Sequence, residues 1–123
     1  MTPLVEVAAL LREVSQLAKA EQNRCLVFAM RDLEVAANLD QEERAEVEER
    51  IDLCLLLSHN FNAALAWTSE TLRGIDLLRV GELGDLELEQ LPRTVQEDVK
   101  DAIVAKVDRI LAAITAFQDQ NIF

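Results

Sequence analysis

Ala37-Asn38-Leu39-Asp40-Gln41-Glu42-Glu43 decides how this chain folds. Asp40 with Glu43 three residues on is a capping-box-like start signal, in which a carboxylate meets the unpaired N–H groups of an opening helical turn. On either side, apolar residues recur at spacings of three and four. Upstream these are Leu4, Val7, Leu11, Val14, Ala18, Cys25 and Phe28, with one slot skipped. Downstream they are Val47, Ile51, Cys54, Phe61, Leu65 and Leu72, with two slots skipped. That period puts each set on one helical face. It predicts two long helices, about 3–37 and 41–73, folded back on each other as a hairpin. Thr2-Pro3 suits the start of the first, since proline at the opening helical position loses no N–H that a partner needs. Gly74 offers a stop for the second.

All three glycines fall within residues 74–84, so a connection is expected at 75–93. It is rich in leucine (Leu77, Leu78, Leu83, Leu86, Leu88, Leu91), and Leu86-Glu87-Leu88-Glu89 alternates. A short strand or hairpin and a short helix across the bundle end both fit that pattern. Thr94 with Glu97 then signals a third helix, about 94–119, with the stripe Val99, Ile103, Val107, Ile110, Ile114 and Phe117. The fold class is therefore all-α: a single antiparallel helical-bundle domain spanning residues 1–123.

Composition narrows function by exclusion. Half of the 123 residues are hydrophobic, which rules out a disordered chain. The formal net charge is −11, from 23 acidic and 12 basic residues, so phosphate backbones and anionic membranes should repel the surface. Neither nucleic acid nor membrane is an expected partner, whereas a basic or helical protein is. No apolar run reaches the length of a bilayer span, and no basic-then-apolar secretory pattern opens the chain. A cytoplasmic protein is expected, and in that compartment Cys25 and Cys54 should be free thiols packed as small hydrophobes.

The skipped slots hold polar residues. Counted outward from Leu39, Glu21 is level with Ser58, and Cys25 with Cys54. Glu21, Ser58 and Asn62 are expected to form a hydrogen-bonded layer that fixes register. His59, the single histidine, adjoins Ser58 and is a further candidate for that register or interface role. One histidine cannot supply the paired Glu-x-x-His motifs of a di-iron bundle, and Cys54 and His59 are five residues apart, on different faces. No cofactor, metal or catalytic residue is expected. Cys25-Leu26-Val27-Phe28-Ala29-Met30 and Leu53-Cys54-Leu55-Leu56-Leu57 are apolar all round, and a third helix alone cannot cover them. A homodimer is the expected remedy.

Three resemblances accompany this reading. His59-Asn60-Phe61-Asn62-Ala63 occupies the place of the His-x-x-Lys-Gly motif of histidine phosphotransfer domains, without its Lys and Gly. Phe117-Gln118-Asp119 is similar to an element of helical chemotaxis phosphatases, without the glutamine one turn later. The acidic hairpin, with Ser58 to Leu65, resembles flagellar-type export chaperones, which tend to end in a flexible tail where this chain has a third helix. The residues favour a non-catalytic protein–protein interaction module: a small acidic dimeric adaptor, assembly factor or chaperone-like protein. A phosphotransfer domain using His59 is the alternative. Binding would use a helix laid in an apolar groove, or Leu77, Leu78, Leu83, Leu86 and Leu88 of the connection.

Overall fold

The computed structural model describes residues 2–82, 84 and 87–119. Three helices, α1 (Pro3–Ala36), α2 (Gln41–Arg79) and α3 (Arg93–Asp119), form an antiparallel bundle, with a single 3-10 turn at Leu88–Gln90. No strand occurs among the described residues. At about 1.5 Å per residue, the helices are about 51, 58 and 40 Å long, so α3 falls well short of the hairpin.

The hairpin break follows the sequence. Asp40 is the N-cap of α2, and its carboxylate accepts the Glu43 N–H at 3.0 Å. Arg44 donates Nε to the Ala36 carbonyl at 3.0 Å, closing the end of α1. Pro3 is the first residue of α1, but the Thr2 hydroxyl makes no cap bond.

The second helix overruns its expected end. Gly74 lies inside α2, because Ile75 and Leu78 extend its apolar face onto the core. Burying those side chains outweighs the roughly 1 kcal/mol that an interior glycine costs. The stop is Gly81, at φ +73°. Its N–H bonds to the Leu78 carbonyl and that of Glu82 to the Leu77 carbonyl, the paired bonds of a Schellman motif. The connection is thus 80–92, and Leu77 and Leu78 are helical. Leu83 and Leu86 lie outside the described residues.

The end of the connection belongs to the core. Glu87 and Gln90 form a reciprocal capping box around the 3-10 turn, and Leu88 is 1% exposed. Gln96, itself buried, donates its side-chain amide to the carbonyls of Leu88 at 3.0 Å and Leu91 at 3.1 Å. α3 begins at Arg93, directly after Pro92, one residue before the start that Thr94 suggested. Gln96→Ala should orphan the Leu91 carbonyl, leave that of Leu88 with only the Leu91 N–H, and lower stability by about 1–3 kcal/mol, read from chemical denaturation. A loss under 0.5 kcal/mol would mean that water replaces the amide.

α3 runs parallel to α1 and antiparallel to α2. Lys100 Nζ lies 3.0 Å from Glu6 near one end, and Gln118 bonds to Glu21 near the other. The main core joins Leu4, Val7, Leu11 and Val14 of α1 to Ile75, Leu88, Ile103 and Val107. A second cluster joins Ala18, Cys25 and Ala29 to Cys54, Phe61, Ile114 and Phe117. Ala36, Val47 and Ile51, with Leu39 against them, form a small third cluster at the hairpin tip.

Candidate protein-interaction interface

Of the expected polar layer, Glu21 and Ser58 are buried as their positions implied and Asn62 is exposed, and they pair differently. Glu21 is 8% and Ser58 7% exposed. Glu21 faces α3 rather than Ser58: its carboxylate accepts from Gln118 Nε2 at 2.9 Å and meets Arg24 at 3.5 Å. Gln22 instead reaches α2, donating to the Ser58 carbonyl and to Asn62 Oδ1, both at 3.4 Å. The expected Glu21–Ser58–Asn62 layer is therefore two separate ties, one from α1 to each neighbour. Sequence reasoning missed Gln22 and Gln118 because both flank the seam and read as surface. Thr68, in the second skipped slot of α2, is wholly buried and returns its hydroxyl to the Leu65 carbonyl at 2.9 Å.

Cys25 and Cys54 meet at one level, both wholly buried and free. Burial, with the neighbouring Cys54 sulfur, pushes the Cys25 thiol up to about 11. Cys54 is raised too, chiefly by burial. Both stay protonated at neutral pH, unlike the exposed thiolates that attack substrates. The His59 side chain is exposed and makes no hydrogen bond among the described residues. Among those residues no group of three or more His, Cys, Asp or Glu could hold a metal ion. Nor is any helix long and apolar enough to cross a membrane.

What the fold leaves open is the distal hairpin. α3 stops level with the middle of α1, where the Phe117 ring meets Phe61 edge-on at 5.6 Å and Arg24 covers Phe28 and Phe117. Past that level, large apolar side chains face solvent: Leu26 40%, Val27 52%, Met30 65%, Leu33 58%, Val35 49%, Leu53 37%, Leu55 48% and Leu56 57%. Residues 32–52 also carry nine carboxylates against two guanidiniums, a net charge of −7. Both of those arginines are engaged internally, Arg50 with Asp32 at 3.2 Å and Arg44 with the backbone.

Two apolar faces can be told apart. Leu26 and Leu33 follow Gln22 by four and eleven residues, and Leu55 precedes Asn62 by seven, so they share the face marked by the Gln22–Asn62 bond. Met30 borders them. α3 lies on the opposite side, because Glu21 and Phe28 point to it. The second face belongs to α2 alone, where Leu53, Leu56, Asn60, Ala63 and Trp67 recur at four-three spacing away from α1. It forms one wall of an open groove between α2 and α3. One cavity there, of about 340 Å³, is lined by Leu57, Asn60, Phe61 and Ala64 opposite Lys106, Arg109, Ile110 and Ala113. A second, of about 510 Å³, is lined by Trp67 and Thr71 and shares Lys106 and Arg109. Lys106 sits over the Trp67 ring at 4.7 Å.

Of the proposed partner-binding leucines, Leu88 is core, and Leu77 and Leu78 are half-buried in α2. The chain matches no family model, no curated protein and no solved structure.

Proposed function

We propose that the chain is a non-catalytic protein-binding module, an acidic dimeric adaptor, assembly factor or chaperone-like protein. The observation that carries this is the exposed patch of Leu26, Met30, Leu33 and Leu55. Isolated surface leucines need no explanation, but a contiguous patch spanning two helices marks a docking site. The furrow between two antiparallel helices suits a third helix laid along it, with apolar anchors spaced by three and four. Glu34 adjoins Leu33, and Glu48, seven residues before Leu55, continues the same face toward the tip. An acidic rim around an apolar furrow favours a basic amphipathic helix.

Cross-linking and capture from the native host tests this with the wild type beside Met30→Glu/Leu33→Glu. Both side chains are more than half exposed, so the variant should keep wild-type helicity and melting temperature. A protein held by the wild type and reduced at least tenfold by the variant is the expected result. Equal capture by both, or none by either, would refute the patch as the docking site. The phosphotransfer alternative draws support only from the exposure of His59. It requires acid-labile phosphate on incubation with a phosphodonor, absent in His59→Ala.

A further inference from the structure

The outer face of α2 carries a heptad seam of its own, and its two ends are charged in opposite ways. Toward the tip the seam reads Glu46, Glu49, Leu53, Leu56, with Glu42 one turn before it. Toward the body it reads Asn60, Ala63, Trp67, Glu70, and there Lys106 and Arg109 of α3 border it, with Asp98 further along the same groove. Neither cation makes an ion pair among the described residues. The seam is thus acidic and apolar at one end, and apolar with mixed charge, including two cations, at the other.

We propose that the occupant of the α2–α3 groove is the distal α2 of a second copy of this chain, packed antiparallel about a twofold axis. Such a contact is isologous, so each feature must find its complement on the same surface. Centring the axis between Leu53 and Leu56 sets Leu53 of one copy against Leu56 of the other, twice over. It also lays Glu46 opposite Ala63, beside Arg109, and Glu42 level with Trp67 and its covering Lys106. The tip of each copy becomes the fourth helix of the other's three-helix body. Charge selects this arrangement. Tip-to-tip pairing would superpose two segments of net charge −7, whereas the antiparallel one moves each tip onto a surface of mixed charge, next to the other copy's Lys106 and Arg109. The face holding Leu26, Met30 and Leu33 stays free for a partner protein.

This deepens the dimeric reading above and rests on it. The test is solution mass by light scattering and sedimentation over a concentration series, with Trp67 emission followed on dilution. The wild type should show twice the 13.8 kDa chain mass and an emission change as it dissociates. Leu53→Glu/Leu56→Glu, altering two exposed residues, should raise the dissociation constant by roughly 100-fold or more at unchanged helicity. Arg109→Glu should weaken pairing roughly tenfold, and Glu46→Arg in the same chain should recover most of that loss. A wild-type monomer at about 100 µM overturns the proposal together with the dimeric reading. A dimer indifferent to the Leu53/Leu56 change overturns this surface alone. A monomer whose Trp67 emission responds to an acidic amphipathic peptide gives the groove to another occupant and equally overturns it. Met30→Glu/Leu33→Glu should leave the mass unchanged, which separates this proposal from partner capture.

Discussion

Replacing Leu11 by alanine is expected to lower the free energy of unfolding by about 3 kcal/mol and the melting temperature by roughly 10 °C. Leu11 is wholly buried in the cluster where all three helices and the 3-10 turn meet. Truncation there loses the transfer energy of the removed methyl groups and leaves a cavity. That space cannot close readily, because Leu88 and Val107 are fixed by separate elements. Denaturant unfolding at fixed protein concentration measures it. A cost below 1 kcal/mol would mean that the body tolerates repacking and is not the anchor of the fold.

Ile51→Ala should act elsewhere. Ile51 belongs to the tip cluster with Ala36 and Val47, out of reach of α3. So small a cluster has little to compensate the loss of a buried isoleucine, put at about 2–4 kcal/mol. The expected outcome is local: amide protection over roughly residues 30–50 falls about 30-fold or more, while residues 4–14 and 103–107 keep theirs. Because Ile51 points into the hairpin, partner capture should weaken without any change to the docking face itself. A uniform loss of protection over all three helices would show one cooperative unit and remove the distinction between tip and body.

Much of this architecture was legible because helix pairing leaves a periodic trace. Every α1 seam position from Leu4 to Cys25 is buried, and Asp40 caps α2 as its spacing with Glu43 implied. The errors share a cause. Gly74 looked like a stop because glycine ends helices by local preference, yet burial of Ile75 carried α2 to Gly81, where a positive φ was needed. Glu21 was matched with Ser58 by level, but level along an axis does not fix direction around it, and the side chain turned to α3. Gln96 left no signal, since its partners are backbone carbonyls supplied by the connection. The exposed apolar faces were half visible. Runs apolar on every side exceed what one short helix can cover, but which sides α3 would cover was settled only by the packing of Phe117.

The shortness of α3 also bears on the kinetics of encounter. It leaves the most charged segment of the chain at the far end of a rod about 58 Å long. A cationic helix approaching the furrow would be drawn first by the tip carboxylates that the proposed pairing leaves facing solvent, Glu34 and Glu48 among them, before any apolar contact forms. Added salt should then slow association more than it hastens dissociation, because screening acts on the approach while the apolar contacts hold the complex.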